Sequence, residues 1–326
     1  MSEPLRLPEP IKALGRAIRD NRLANDLITR LIRTLARGAR RARLAHRAPR
    51  LGFADVAMPN GQRLKLFAAQ SESVHSSIFY EGWTGEEIEV LPLWSVLAKR
   101  ATTILDIGAH IGHFSLVAGL SNRQAKIHSF EPHPLVRSIL SNNLKINHLD
   151  GVTVHALALG RSDTSASFFV VPNMVPSSSS LSQDFMRAGD HATLEELRVS
   201  VRRLDNLLPD LEGPLLVKID TETTEPDVIV GAATIIARLK PIMIVEILAE
   251  HDTGAALERE LAAAGYEYRA FLMTENGMIR QDRLKGDAQW RNVLIVPTAA
   301  EVVATWGSDI EQRIHSATID RQASQT

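Results

Sequence analysis

The sequence predicts an α/β protein built on a mostly parallel, doubly wound sheet, and three observations carry that prediction. A β-branched, apolar run at 103–107 leads into a turn with Gly108 and Gly112, which is typical of a buried parallel strand that enters a helix. A helix-length segment follows from about 111 to 120, and a second predicted strand at 126–130 ends at Glu131-Pro132. Further apolar runs come later, at 152–157, 214–220 and 242–246. Strand, turn, helix and strand in this order form half of a doubly wound fold.

The segment before this core is strongly basic. Residues 1–50 contain 13 Lys plus Arg against 4 Asp plus Glu, although the whole chain carries a net charge of −1. Apolar residues recur there at helical spacing, with arginines off that stripe, so we predict a basic helical N-terminal extension. The stripe consists of Ile11, Leu14, Ile18, Leu27, Ile28, Leu31, Ile32 and Leu35.

Two hypotheses explain this extension. In one, residues 10–50 make a peripheral contact with an anionic membrane surface or an acidic partner protein. In the other, the leucine stripe packs on the domain and is followed by a solvated, Arg-rich linker at 36–50. Nucleic-acid binding is disfavoured because residues 1–50 contain no aromatic side chain that could stack on bases.

The remaining segments flank the core on both sides. Residues 51–100 are predicted to form a hairpin around Pro59-Asn60-Gly61 and then a helix that leads into the core. His75 and Tyr80 in this segment are candidates for substrate contacts. The core domain is predicted at 101–300, with a C-terminal helix and a disordered tail at 301–326. The serine-rich stretch 174–185 is interpreted either as a linker or as a substrate lid.

Composition excludes several classes of protein. The chain of 326 residues has no cysteine, which removes disulfides, thiolate metal sites and a cysteine nucleophile. Its apolar runs are shorter than the roughly 18 residues of a membrane span, and the N-terminus lacks the apolar stretch of a secretory signal. We therefore expect a cytoplasmic protein.

The first glycine turn predicts a nucleoside cofactor. Ligands of doubly wound folds lie beyond the carboxyl ends of the strands, so Asp106, the turn and Glu131 are expected to share one crevice, with Glu131 accepting bonds from both ribose hydroxyls. The dinucleotide fingerprint G-x-G-x-x-G needs a second close glycine to admit a pyrophosphate. Here the spacing is Asp-x-Gly-x-x-x-Gly with His110 in the middle, which favours S-adenosylmethionine over NAD. The alternative, glycines that only pack a helix on a strand, stays open.

Acidic residues cluster after the later strands. Asp220 ends the run at 214–220, Glu222 and Glu225 follow it, and Glu246 ends the run at 242–246. A carboxylate at Asp220 could accept a proton from a substrate hydroxyl. For Glu222 and Glu225, stabilisation of a helix N-terminus is the competing interpretation. A second hypothesis uses Asp220, Glu222 and Glu246 as oxygen ligands of a hard cation that orients a sugar diol.

Taken together, these motifs resemble the FkbM family of S-adenosylmethionine-dependent methyltransferases over roughly residues 72–297. Asp106, Gly108, Ala109 and Gly112 match the family's D-x-G-A-N-x-G, with His110 at the asparagine; Phe130-Glu131-Pro132 matches F-E-P. The stretch from Lys218 to Glu225 matches K-I-D-x-E-G-x-E, with Thr223 at the glycine. Such a threonine costs nothing if its φ is negative.

The resemblance implies a class I methyltransferase (Rossmann-like) fold, with a seven-stranded, mostly parallel sheet and helices on both faces. It implies O-methylation of a hydroxyl on a sugar, glycan or natural product, with Asp220 and Glu222 as catalytic residues and with Glu225 and Glu246 near the substrate. The residues expected to bind the cofactor are Asp106, Gly108, Ala109, His110, Gly112, Glu131, Pro132, Ala156 and Leu157. Because two motif positions are substituted, a catalytically weakened binding or scaffold protein is the rival hypothesis; an NAD-dependent oxidoreductase is disfavoured.

Overall fold

The computed structural model describes residues 21–35, 48–68, 72–85, 87–170, 181, 194–249, 251 and 253–319. The chain forms two compact units, Met1–Glu86 and Glu87–Thr326. Within the described ranges, no helix has the length and apolar character needed to cross a membrane.

The N-terminal unit contains the predicted basic helix and hairpin. Helix α1 (Arg22–Leu35) precedes strands β1 (Gly52–Ala57) and β2 (Arg63–Ala68), which pair antiparallel, and helix α2 (Ser73–Glu81) follows. The carboxylate of Glu72 begins α2 by accepting the amides of Val74 and His75. Of the predicted stripe, Leu27, Leu31 and Leu35 are exposed and Ile28 and Ile32 are half-buried, so both hypotheses for the extension stay predictions.

The C-terminal unit contains the predicted alternation of strands and helices. In chain order, its helices are α3 (Leu91–Ala98), α4 (His113–Ser121), α5 (Pro134–Ile146), α6 (Leu204–Leu207), α7 (Glu225–Gly231), α8 (Ala233–Leu239), α9 (Thr253–Ala263), α10 (Ala299–Trp306) and α11 (Ser308–Ala317). Its strands are β3 (Thr103–Ile107), β4 (Lys126–Phe130), β5 (Thr153–His155), β6 (Ala158–Leu159), β7 (Thr164–Val170), β8 (Glu195–Arg202), β9 (Leu215–Ile219), β10 (Ile242–Glu246), β11 (Tyr268–Thr274), β12 (Gly277–Gln281), β13 (Asn292–Pro297) and β14 (Thr318–Ile319).

The main sheet is mostly parallel and contains nine strands in the described part of the chain, in the order β14-β12-β11-β13-β10-β9-β3-β4-β5. Strands β10, β9, β3, β4 and β5 are parallel neighbours, whereas β13 pairs antiparallel with β10 and β11. The predicted count of seven was wrong because β12 forms a hairpin with β11 and β14 extends that edge. Since β4 lies on one side of β3 and β9 on the other, the chain changes direction at β3, which is where doubly wound sheets bind ligands.

Helices cover both faces of this sheet. On one face, Leu105, Val217 and Val245 are buried against apolar residues of α7, α8 and α9. On the other, the Phe114 ring of α4 lies over the Lys218 ammonium, and the indole NH of Trp94 in α3 donates to the Phe114 carbonyl at 3.0 Å. Because both faces are covered, the central strands are largely apolar, and a charged residue in them, such as Asp106 or Lys218, needs a partner.

A smaller sheet follows the third parallel strand. Strand β8 lies between β6 and β7 in it. Except for Leu181, the serine-rich stretch lies outside the described residues, and its interpretation as lid or linker stays a prediction.

Candidate active site

The turn after β3 is fastened to α4 by Asp106. The carboxylate of Asp106 is 1% exposed, and its Oδ2 accepts the Ser115 amide at 2.9 Å and the Ser115 hydroxyl. The Ser129 hydroxyl of β4 in turn lies 2.6 Å from the Ser115 hydroxyl. Burial raises the pKa of Asp106 to about 6, although the bonds from Ser115 and the nearby Lys218 oppose the rise. Asp106 therefore orders the turn from beneath.

The two glycines of the turn lie where a side chain would clash with neighbouring atoms of the protein. Gly108 has a φ of 82°, and a Cβ there would lie 1.7 Å from the carbonyl oxygen of Asp220. Gly112 has a φ of 95°, and its Cβ would lie 2.3 Å from Leu140. Glycine adopts a positive φ without strain, and the group that approaches Gly108 is the backbone of Asp220, directly after β9. The two glycines bring β3, β9 and α5 close together around the turn.

Backbone amides of the turn point at Glu131. His110 has a φ of 49°, a left-handed conformation that histidine and asparagine adopt more readily than most residues. Its amide donates to Glu131 Oε2 at 2.9 Å, and the His133 amide donates to Oε1 at 2.8 Å. Burial is the main influence on the pKa of Glu131 and raises it. Each carboxylate oxygen keeps a further lone pair, so Glu131 could still accept bonds from a ribose.

A cavity opens beside these groups at the carboxyl ends of β3 and β4. Pro132 and Gly108 line it together with Ala158, Phe168, Thr221 and Thr224. Ala156 and Leu157, both expected to bind the cofactor, follow β5: Ala156 is exposed and Leu157 packs against the core, and their role stays a prediction. The next two residues, Ala158 and Leu159, line the cavity.

A buried lysine organises the ends of β9 and β10. Lys218 is 1% exposed and its ammonium lies 3.2 Å from Oδ2 of Asp220, whose side chain is 30% exposed. Burial alone would lower the pKa of Lys218, but the carboxylates of Asp220, Glu87 and Glu246 hold it above its ordinary value. Burial would raise the pKa of Asp220, yet Lys218 and a hydrogen bond from Glu246 hold it below its usual range. Asp220 is thus ionised at neutral pH.

The pKa values of the two glutamates beside Asp220 shift in the opposite direction, upward. Burial and the neighbouring carboxylate of Asp220 raise the pKa of Glu222 to about 8, and the same causes raise the pKa of Glu246 well above its ordinary value. Burial and the charge of Asp220 thus favour the protonated form of both glutamates. A protonated carboxyl can donate a hydrogen bond, whereas the Asp220 carboxylate only accepts.

The turn between β9 and α7 has an unusual backbone. Glu222 and Thr223 have φ values of 53° and 85°. Two successive positive φ values are typical of type I′ turns, which glycine, asparagine and aspartate dominate. The condition under which a threonine at 223 costs nothing is therefore not met, since a β-branched residue at positive φ is strained.

Glu225 holds this turn together. Its Oε1 accepts the amides of Thr221 and Thr223 at 3.1 and 3.0 Å and the Thr221 hydroxyl at 3.0 Å. Glu225 is 2% exposed, and burial raises its pKa. These contacts give Glu225 a structural role beside the expected substrate role, which stays a prediction.

The cluster also meets the geometric requirement of the cation hypothesis. One carboxylate oxygen from each of Asp220, Glu222 and Glu246 lies within 4.8 Å of the others. Oxygen donors suit Mg²⁺ or Ca²⁺, but the Lys218 ammonium already supplies positive charge at Asp220. The hypothesis therefore stays a prediction.

The two substrate candidates from the hairpin region belong to the N-terminal unit. His75 is completely buried, and burial lowers its pKa to about 4. The Tyr80 hydroxyl donates to the Ala48 carbonyl at 2.8 Å. These contacts are internal to that unit.

Sequence reasoning missed the importance of Lys218 and Asn292. Lys218 was noted only as part of a motif, although a lysine in the apolar run LLVKI already requires a buried partner. Asn292 of β13 is in register with Glu246, and its amide donates to Glu87 and Glu89, both at 3.2 Å. Nothing in the local sequence indicates that β13 is inserted next to β10.

Comparisons with known proteins identify relatives of this chain. Residues 106–268, half of the chain, match the family described as the methyltransferase FkbM domain. The chain is 32% identical over 153 residues to the methyltransferase sdnD of Sordaria araneosa, covering 39% of this chain and 59% of sdnD. It is 27% identical over 288 residues to the AMB antimetabolite synthetase AmbE of Pseudomonas aeruginosa, covering 77% of this chain and 13% of AmbE. The chain thus spans less than two thirds of each of these curated relatives.

Solved structures show more distant similarity. The FkbM methyltransferase from Methylobacillus flagellatus superimposes with a TM-score of 0.40 and 20% identity, covering 60% of this chain and 43% of that one. The O-methyltransferase from Bacillus cereus, solved with SAH, superimposes with a TM-score of 0.38 and 14% identity, covering 66% and 80%.

Proposed function

The chain belongs to the methyltransferase FkbM domain family, and from this membership we propose that it methylates a hydroxyl group on a small-molecule acceptor, a sugar, glycan or natural product. The family is one of S-adenosylmethionine-dependent methyltransferases, which gives the cofactor and the class of reaction. The position of the methyl group and the class of acceptor are the proposed part.

The residues at the ends of β3 and β4 fit the methyl donor. Glu131 keeps lone pairs for a ribose, as described above, and the cavity beside it has apolar walls from Ala158, Leu159 and Phe168. When bound, the donor supplies an electrophilic methyl group on a positively charged sulfur. The turn amides and Asp106 are proposed to fix the edge of the crevice that faces the methionine portion.

The observation that carries the proposal is the ion pair of Asp220 with Lys218 at the end of β9, whose backbone adjoins the turn after β3. The Asp220 carbonyl abuts Gly108, so the β9 turn directly adjoins the cofactor turn. As an acceptor oxygen forms its bond to the methyl carbon and the carbon–sulfur bond breaks, the hydroxyl proton moves to Asp220. Lys218 keeps that carboxylate charged, and Glu222 is proposed to donate a hydrogen bond to the acceptor oxygen.

Alignment is the other contribution of the protein. The methyl group is already reactive, so most of the acceleration comes from holding the oxygen, carbon and sulfur in line. A rigid turn between β9 and α7 serves this purpose, and the three bonds to Glu225 make it rigid.

The experiment combines methyl transfer with cofactor binding. The protein is incubated with S-adenosylmethionine labelled in its methyl group and an extract of hydroxylated metabolites, and the labelled product is identified. Asp220→Asn should lower kcat by about 10²–10⁴-fold while the dissociation constant for S-adenosylmethionine changes little. The matched control is Asp227→Asn, since Asp227 makes an exposed ion pair with Arg161 at 2.6 Å.

Two results would contradict the proposal. Label found on nitrogen or carbon would move the reaction to another acceptor atom. Tight binding of S-adenosylmethionine without transfer to any hydroxylated compound would favour the binding or scaffold hypothesis.

A further inference from the structure

The exposed apolar side chains of the described residues are concentrated on one helix. Eight large apolar side chains are exposed, and four of them are leucines of α1. Their exposed fractions are 84% for Leu23, 62% for Leu27, 49% for Leu31 and 75% for Leu35. Residues spaced by four lie on one face of a helix, so these leucines form a continuous stripe, which we call the leucine face.

Helix α1 is attached to its own unit through polar residues. The side-chain amide of Asn25 donates to the Pro49 carbonyl at 2.9 Å and its oxygen accepts the Leu51 amide at 2.9 Å. Arg50 donates to the Thr29 hydroxyl of the helix at 2.9 Å and forms an ion pair with Asp26 of the helix at 2.5 Å. Asn25 and Thr29 are the buried residues of the helix.

This arrangement is unusual for a surface helix, because its two fully buried residues are polar while Ile28 and Ile32 are only half-buried and the leucines are exposed. A helix that packs on its own domain normally buries its apolar stripe and exposes its polar residues. Here directional hydrogen bonds fix the polar side inward, so the leucine face is held outward by the fold. An exposed apolar face of this kind is normally covered by a second apolar surface.

The charge of the surrounding chain indicates which apolar surface covers the leucine face. Arg22, Arg30 and Arg33 lie on α1 itself, and residues 1–50 together contain 13 basic against 4 acidic side chains. Residues 51–326 contain more acidic than basic side chains, so the net positive charge lies in residues 1–50. A leucine-rich face with arginines around it is characteristic of helices that lie in the interface of an anionic bilayer.

We infer that α1 docks the protein on an anionic lipid surface, with the leucine face in the acyl boundary and the arginines at the lipid phosphates. The helix lies in the plane of the interface and does not cross it, in keeping with its 14 residues. This inference does not depend on the proposed methyl transfer. It concerns the N-terminal unit alone.

The test uses co-sedimentation of the full chain with two kinds of vesicle, phosphatidylcholine mixed with phosphatidylglycerol and phosphatidylcholine alone. The wild-type chain should bind the anionic vesicles, and added salt should weaken the binding. Leu27→Ser combined with Leu31→Ser should weaken it by about tenfold or more. Replacing Arg22 and Arg30 of α1 by Gln should weaken it by about fivefold for each charge removed.

The matched control removes two exposed aliphatic side chains elsewhere. Ile88→Ser combined with Val303→Ser, at positions 53% and 43% exposed, should leave vesicle binding unchanged. Circular dichroism melting of each variant checks that the fold is intact. The serine positions on α1 are solvent-exposed, so we expect the melting temperature to stay close to that of the wild type.

Three outcomes would overturn the inference. The wild-type chain could ignore anionic vesicles, or the leucine variant could bind them as tightly as the wild type does. In the third outcome, light scattering finds a dimer that the leucine substitutions dissociate and that does not bind vesicles, and the leucine face is then covered by a second copy of the chain.

Discussion

Replacing Thr223 by glycine should stabilise the protein. Thr223 has a φ of 85° and follows Glu222, whose φ is 53°. A non-glycine residue held in this region costs about 1–3 kcal/mol. Glycine removes that cost, but it is more flexible in the unfolded chain and so loses roughly 0.5–1 kcal/mol. The net expectation is a gain of about 1 kcal/mol, which corresponds to a rise of about 2–4 °C in melting temperature.

The contacts of the turn survive this substitution. Thr223 contributes its backbone amide to Glu225, at 3.0 Å, and glycine retains that amide. Thr223→Asn should give a smaller gain, because asparagine tolerates positive φ better than a β-branched residue does. Thr223→Val, which keeps the branching, should give none.

The assay is thermal and urea unfolding followed by circular dichroism, with Thr224→Gly as the control. Thr224 has a φ of −104°, so glycine relieves nothing there and should only destabilise. The reasoning fails if Thr223→Gly and Thr224→Gly lower stability by similar amounts. It also fails if Thr223→Val is as stabilising as Thr223→Gly, since strain at φ would then not be the cause.

Three further predictions concern the site. Glu131→Gln should weaken S-adenosylmethionine binding by about tenfold in calorimetry, because a neutral amide accepts ribose hydroxyls more weakly than a carboxylate does; an unchanged affinity would remove Glu131 from the ribose site. Lys218→Met should lower the free energy of unfolding by about 3 kcal/mol and raise the pH at which activity appears, because Asp220 loses its buried cation; an unchanged pH–rate profile would mean that Lys218 does not keep Asp220 charged. The pKa of Glu222 is raised from 4.5 to about 8, so the folded state binds its proton more tightly than the unfolded state does, and the free energy of unfolding should fall as pH rises between those values. Urea unfolding across that range should show that this free energy falls less steeply with pH for Glu222→Gln than for the wild type. An equal slope would contradict the raised pKa of Glu222.

The sequence was sufficient for the buried parallel strands. The predicted segments at 103–107, 126–130 and 242–246 coincide with β3, β4 and β10. The apolar character of a strand covered on both faces reveals β10 and most of β3, whereas β4 was placed by its position between the helix of the glycine turn and Glu131-Pro132. The hairpin of β11 and β12 was missed although Asn276-Gly277 is a turn signal. Strand β14 has only two residues, and its pairing depends on where α11 ends, which periodicity does not encode.

The residues of the candidate site could be predicted from the sequence, but their individual roles could not. Asp106, Gly108, Glu131 and Asp220 were found because each lies at the end of an apolar run, and such ends meet at one edge of a parallel sheet. The sequence does not reveal that Gly108 makes room for the Asp220 carbonyl, since that contact joins two strands distant along the chain. The φ of Thr223 was likewise hidden, because loop closure between β9 and α7 decides it.

Electrostatics explain why the end of β9 combines a buried lysine with three carboxyls. If every carboxyl were ionised, like charges within a few ångströms would repel; if none were, no group could take a proton. Lys218 selects Asp220 for ionisation, and the resulting negative charge then raises the pKa values of Glu222 and Glu246. A hydroxyl needs both an acceptor for its proton and a donor to its oxygen. This cluster offers both at neutral pH from side chains of one chemical type, and the single lysine determines which carboxyl plays which part.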